Sequence, residues 1–158
     1  THEMPPADRH PAIYVVRDGR SALVSHAHYV REILGRDFTL AEVIEGKVGQ
    51  SWSAHVRAWM RRPHTLLVRY EDLASGNAAT LKNIADFIGK PQLNRFDISF
   101  EALHAISPAF FRSGSDSANI LEMDGEAQRL FERLHGETLR TLGYDRGRGQ
   151  EAGARVNA

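Results

Sequence analysis

Residues 12–29 read AIYVVRDGRSALVSHAHY, and the joint inside this stretch decides the fold. Ala12 to Val16 is an unbroken apolar run, β-branched at Ile13, Val15 and Val16. That is the pattern of a strand buried on both faces of a parallel sheet. Asp18 is placed to cap a helix running from Gly19 to Leu34, with Leu23, Ala27, Val30 and Leu34 as its apolar stripe and Gly35 as its stop. The turn between strand and helix carries Arg17 and Arg20. In an open parallel sheet, ligands bind beyond the carboxyl ends of the strands, where free amides and the helix dipole favour anions. An arginine fork at that place suits phosphate or sulfate; pairing of Arg17 with Asp18 or Glu71 is the structural alternative. On position alone, Ser21 and the first-turn amides are the natural companions of Arg17.

The same grammar recurs along the chain. Residues 51–61 form a helical pattern with Trp52, Val56, Trp59 and Met60 on one face, ended by Pro63. TLLVR (65–69) is a second buried strand, followed by YEDL. Glu71 and Asp72 are adjacent and face different ways, so they read as turn and cap residues. A third helix spans 77–88, striped by Leu81, Ile84, Ala85 and Ile88 and closed by Gly89; one helical turn is expected near 40–44 and a short helix at 99–105. Residues 107–122 are polar and without period, and 126–142 form a last amphipathic helix using Ala127, Leu130, Phe131 and Leu134. Strands alternating with helices indicate an α/β fold with a parallel sheet.

The bulk numbers narrow the function. The chain has 158 residues, 42% hydrophobic and 25% charged, enough for one domain with a real core. Lys plus Arg and Asp plus Glu both number 20, so there is no electrostatic footprint for nucleic acid and anion chemistry must come from local clusters. No apolar stretch approaches the roughly 20 residues of a membrane span. Without cysteine, disulfides and thiolate chemistry are excluded and a cytoplasmic setting is expected. His26 and His28 lie two apart on a helix and face different directions, so no metal site is expected there. His55 borders the Trp52/Trp59 face as a half-buried packing histidine would. Phe110 to Ser115 (FFRSGS) is an Arg-Ser-Gly loop in which Gly114 allows close backbone approach to a ligand.

Four motifs in order carry a resemblance: IYVVRDGRSALVSHAHY (13–29), SWSAHVRAWMRRPHTLLVRYEDL (51–73), FFRSG (110–114) and a last helix closing on LGY (142–144). Together they resemble the sulfotransferases that use 3′-phosphoadenosine 5′-phosphosulfate (PAPS), from Thr1 to Tyr144. The resemblance implies a P-loop nucleotide-binding-like three-layer core with a parallel sheet, here in part. It implies that Arg17 and Ser25 hold the 3′-phosphate of PAPS, choosing Ser25 over Ser21. Tyr70 lines the adenosine site, and Phe100 of Ser99-Phe100 packs on adenine, with Ile98 where the family has threonine. Arg112, Ser113 and Gly114 match the family's Arg-Lys-Gly loop over the 3′-phosphate, with serine in place of lysine. Thr1-His2 looks like the end of the family's Lys-Thr-His, whose histidine is the catalytic base, and His55 corresponds to a histidine on the acceptor wall.

The function implied is transfer of a sulfuryl group from PAPS to a hydroxyl or amine, leaving adenosine 3′,5′-bisphosphate, with no metal. The acceptor is a small molecule or carbohydrate, and neither nucleic acid nor membrane is a partner. A kinase-like P-loop phosphotransferase and a non-catalytic adenosine-phosphate-binding module stay open as alternatives. The family's phosphosulfate-binding P-loop and its lysine match nothing here. The expectation is therefore an N-terminally incomplete domain over 1–144, a disordered tail over 145–158, and no sulfate transfer by these residues alone.

Overall fold

The computed structural model of the chain describes residues 3–94, 99–108, 116–144 and 155–157. Its elements run β1 (Ala12–Val16), α1 (Gly19–Glu32), α2 (Leu40–Ile44), α3 (Trp52–Arg61), β2 (Thr65–Arg69), α4 (Tyr70–Ala74), α5 (Ala78–Ile88), α6 (Phe100–Ile106), α7 (Asp116–Leu121), α8 (Gly125–Thr141) and β3 (Arg155–Asn157). The α/β class expected from alternation is what the chain adopts. The local signals explain the ends. The Asp18 side chain accepts from the Arg20 amide at 2.9 Å, starting α1. Thr39 and Glu42 form a capping box on α2. Asn77 caps α5, and Gly89 ends it at φ +64°, where a side chain would strain the backbone.

By contacts, the chain divides into two compact units, and each is described by itself. The first comprises Thr1–Arg17, Ser53–Arg95 and Thr138–Ala158. It holds the sheet, in the order β1-β2-β3. β1 and β2 are parallel, in register from Ala12↔Thr65 to Val16↔Arg69. β3 adds an antiparallel strand, with Leu67 opposite Arg155, so the parallel pair sits in a mixed sheet. This strand falls in the segment expected to be a disordered tail. Ladder pairing uses backbone groups that every non-proline residue carries, so composition did not reveal it. Residues 145–154 and 158 of that tail lie outside the described residues.

β2 is buried as expected, at Thr65, Leu66 and Val68. β1 is not buried on both faces. Tyr14 and Val16 are buried, whereas Ile13 is 39% and Val15 43% exposed. An unbroken apolar run marks both faces of a strand alike and cannot say which one is covered. The rest of this unit's core includes Val56, Trp59, Leu139, Leu142 and Tyr144.

The second unit comprises Asp18–Trp52 and Phe96–Glu137, and in it α1 packs on α2 and α7. Its buried residues include Leu23, Val24, Ala27, Val30, Val43, Ile44 and Phe131. Leu34 is exposed, because α1 ends at Glu32 rather than at Leu34. Along α8, Leu134 is exposed while His135 is buried and its Nε2 lies 2.9 Å from the Ile44 carbonyl. A stripe counted in apolar letters passes over a histidine that packs and bonds at once. Two short helices were not expected: α4 over YEDL, and α7 inside the polar stretch 107–122. In the first unit, α5 buries Thr80, while Ile88 of its expected stripe is 52% exposed.

Trp52 closes the start of α1. Its indole meets Phe131 and, edge-on, His135, with ring centroids 5.9 and 5.8 Å away. A methyl group at Gly19 would stand 2.7 Å from that indole. Replacing Gly19 with alanine should therefore destabilise the fold by about 1–3 kcal/mol, the usual range for overpacking a core. Thermal unfolding of Gly19→Ala beside the parent chain checks this; equal melting temperatures would contradict it.

Candidate active site

The register of the parallel pair builds the first part of the site. Val16 lies opposite Arg69, so the next residue on each strand, Arg17 and Tyr70, are brought side by side. The Arg17 guanidinium carbon lies over the Tyr70 ring, 4.8 Å from its centroid. Tyr70 opens α4 and is 39% exposed. Two residues matched separately from sequence thus form one surface, a cation on an aromatic face at the carboxyl ends of two parallel strands. The remaining charges at these ends have structural tasks. Asp18 binds Arg20 through both oxygens, at 3.0 and 2.6 Å, so Arg20 serves the helix cap. Glu71 accepts a hydrogen bond from the Tyr144 hydroxyl at 2.7 Å.

Arg69 and Tyr144 were not singled out from sequence. The Arg69 guanidinium carbon lies 4.1 Å from the centroid of the Tyr144 ring. The Tyr144 hydroxyl also comes within 3.3 Å of the Val16 carbonyl; its single proton goes to the nearer Glu71. The available signal was an arginine at each strand end, Arg69 closing β2 and Arg17 just after β1; that they lie one position apart is set by the register.

In the second unit, α1 carries both serines considered for a phosphate. Ser21 is fully buried, and its hydroxyl accepts from Asn119 Nδ2 at 3.1 Å. It is a packing hydroxyl, which removes the choice made on position alone. Ser25 is half-buried on the same helix.

His55 lies in the first unit, on α3. Its Nε2 is 2.8 Å from the Glu3 carbonyl oxygen and its Nδ1 is 3.0 Å from the Tyr14 hydroxyl. A carbonyl only accepts, so Nε2 carries a proton, and in the neutral ring Nδ1 accepts from Tyr14. Trp59 Nε1 lies 3.2 Å from both Glu3 O and His55 Nε2. With Nε2 protonated, Trp59 donates to the carbonyl. The Tyr14 and Trp59 rings are parallel, with centroids 5.3 Å apart. Trp52 and Trp59 pack as expected from sequence.

His2, Ile98, Arg112, Ser113 and Gly114 lie outside the described residues, and of Phe100 only the backbone, the first residue of α6, is described. Among the described residues there is no cluster of three or more His, Asp or Glu side chains placed to hold a metal ion, and no helix is long and apolar enough to cross a membrane.

Comparison with known proteins gives this geometry a context. The sequence profile of the sulfotransferase domain matches residues 8–139. Sulfotransferase 2A6 of Mus musculus is 30% identical over 88 residues, and the 3-alpha-hydroxysteroid sulfotransferase of Cavia porcellus 31%; each match takes in 49% of this chain and 31% of the relative's length. Mouse sulfotransferase SULT7A1, solved in complex with PAP, aligns with a TM-score of 0.67 at 24% identity, over 84% of this chain and 59% of that one. At that identity the likeness speaks for the fold.

Burial holds the phenols of Tyr14 and Tyr144 above the ordinary tyrosine value of about 10, and for Tyr144 the Glu71 carboxylate adds to the effect. On raising the pH past about 10, the unfolded chain therefore releases these protons first while the folded chain keeps them. Stability should be indifferent to the two phenols below that pH and fall above it. Urea unfolding from pH 8 to 11 checks the trend, and changing Tyr14 and Tyr144 together to phenylalanine should flatten it. An equally steep fall in that double variant would refute the assignment.

Proposed function

Because the chain belongs to the sulfotransferase domain family, we propose that it takes part in transfer of a sulfuryl group from PAPS to the hydroxyl or amine of a small-molecule acceptor, releasing adenosine 3′,5′-bisphosphate. The observation that supports this best is the Arg17 guanidinium stacked on Tyr70 where two parallel strands end. A cation beside an aromatic face is the donor set that a phosphorylated adenosine requires: charge for phosphate, a flat apolar surface for the nucleoside. In this proposal Arg17 and Ser25 hold the 3′-phosphate and Tyr70 and Phe100 line the adenosine, while Arg112, Ser113 and Gly114 close over the phosphate. Ser113 stands where the family has lysine, so this loop brings one positive charge fewer. His55 serves the acceptor side. The names of the relatives, one of them a 3-alpha-hydroxysteroid sulfotransferase, favour an apolar alcohol as acceptor.

His2 is the general base in this reading. It takes the proton from the acceptor as the acceptor oxygen or nitrogen bonds to sulfur, and the bond from sulfur to the bridging oxygen of the 5′-phosphate breaks, its electron pair leaving with the bisphosphate. Fixed donors stabilise that departing charge. The direct test is label transfer from sulfur-labelled PAPS to a panel of alcohols and amines by the intact protein, with Mg-ATP as the competing donor. Transfer from ATP alone would replace the proposal with a phosphotransferase; binding without transfer from either donor would leave a nucleotide-binding module.

Two variants divide the roles. Arg17→Ala should weaken PAPS about tenfold to a hundredfold, the worth of a hydrogen bond to a charged group, and barely affect adenosine 5′-phosphosulfate, which lacks the 3′-phosphate. Equal losses in titration calorimetry would make Arg17 structural. His2→Ala should lower turnover about 10²–10⁴-fold, the range of general base catalysis, with PAPS affinity unchanged. Near-normal turnover would remove His2 from the chemistry.

A further inference from the structure

The last of the four motifs, LGY (142–144), has no task in the proposed transfer. Gly143 follows the last turn of α8 at φ +76°. Its amide donates to the Arg140 carbonyl at 2.9 Å, and the Tyr144 amide to the Leu139 carbonyl at 3.1 Å. These two bonds around a left-handed glycine form a helix-closing turn that reverses the chain. The turn sends Tyr144 into the first unit, where it is 9% exposed. There its ring carries the Arg69 guanidinium, 4.1 Å from the centroid, and its hydroxyl donates to Glu71 at 2.7 Å. Arg69 and Glu71 are the residues on either side of Tyr70. The same hydroxyl oxygen lies 3.3 Å from the carbonyl oxygen of Val16, the residue before Arg17. One side chain therefore touches both neighbours of Tyr70 and one neighbour of Arg17, the two residues that stack at the strand ends.

We infer that Tyr144 and Glu71 are positioning residues: they bracket Tyr70 and hold its ring over the Arg17 guanidinium, so that LGY serves nucleotide binding at the strand ends. The inference rests on the proposed roles of Arg17 and Tyr70 toward PAPS. A guanidinium over a ring is a weak contact with broad geometry, and it does not by itself fix Tyr70. Tyr70 opens α4, a helix of five residues that buries none of them and starts without a side-chain cap. The bond from the Tyr144 hydroxyl to Glu71, short and directional, supplies the anchor that a cap or a buried face would otherwise give. Tyr144 is almost enclosed while Tyr70 is 39% exposed, so Tyr144 acts through Tyr70, whose ring is the one a ligand can reach.

Three substitutions separate the contacts. Tyr144→Phe keeps the ring beside Arg69 and removes the hydroxyl; Glu71→Ala removes the acceptor; Glu71→Gln keeps an acceptor oxygen. In NMR spectra of the intact protein, the Tyr70 ring should shift the side-chain protons of Arg17 upfield, and Tyr70→Leu should abolish that shift. Tyr144→Phe and Glu71→Ala should each lose much of it, and Glu71→Gln should retain it. In titration calorimetry, Tyr144→Phe should weaken adenosine 3′,5′-bisphosphate and adenosine 5′-phosphosulfate alike, about three- to tenfold, the range of a cation–aromatic contact. Added to Tyr70→Leu it should weaken neither further, because a residue acting through another then has nothing to act on. With PAPS and an acceptor, KM for PAPS should rise while kcat is unchanged. An Arg17 shift unchanged in both Tyr144→Phe and Glu71→Ala would overturn the bracket. A shift lost with affinity unchanged would overturn its service to the nucleotide, as would a full further loss on top of Tyr70→Leu. If the parent chain binds no adenosine 3′,5′-bisphosphate, the proposed function fails by itself, and the Arg17 shifts still decide the bracket.

Discussion

The register between β1 and β2 is the constraint on which the rest depends. With Val16 opposite Arg69, the strands end level, and the residues that follow them emerge side by side as Arg17 and Tyr70. A slip of one residue would turn every side chain of β1 to the other face. Tyr14 and Val16 would lose their burial, Arg17 would be displaced from Tyr70, and the Tyr14 hydroxyl would point away from His55. Burial of alternate β1 residues pins the register, and the register assembles the cation–aromatic surface.

Helix α3 is the second organising element. His55 and Trp59 on it, and Arg62 just past its end, gather the chain before β1. Arg62 is a charge taken almost wholly out of water, and its Nε finds no hydrogen-bond partner. Desolvating a guanidinium is costly unless its remaining protons are well used, and its Nη2 goes to Asp8 and the His10 carbonyl. Polar contacts of this kind fix a definite path for the chain where an apolar contact alone would tolerate sliding.

In the second unit, burial sorts the polar residues of α1. Ser21, one turn from the helix start, is fully enclosed and bound to Asn119, so proximity to the amide-rich terminus does not make it a ligand. Ser25, a turn further on, is half-buried. The same sorting assigns Arg20 to the Asp18 cap.

Much of the architecture was legible from local sequence. Apolar runs marked β1 and β2, side-chain caps and glycines marked α1 and α5, and period marked α3 and α8, because each of these signals acts through neighbours a few residues away. The motif order also carried the family. What local signals could not carry was decided by distant pairing. The exposed face of β1 depends on which elements cover it; the burial of His135 depends on the Ile44 carbonyl, 91 residues away in sequence; β3 formed in a tail without hydrophobic pattern, because its partner is the backbone of β2. The site divides along the same line. Arg17 could be named from its place at a strand end, and Ser25, Tyr70 and His55 only from the resemblance to a family, but the stacking of Arg17 on Tyr70 and the convergence of His55 and Trp59 on Glu3 exist only in the folded chain. Sequence determined which groups are available, through short-range propensity and motif. Tertiary structure decided which of them meet, because a hydrogen bond or a ring contact is a relation between positions in space that spacing along the chain does not record.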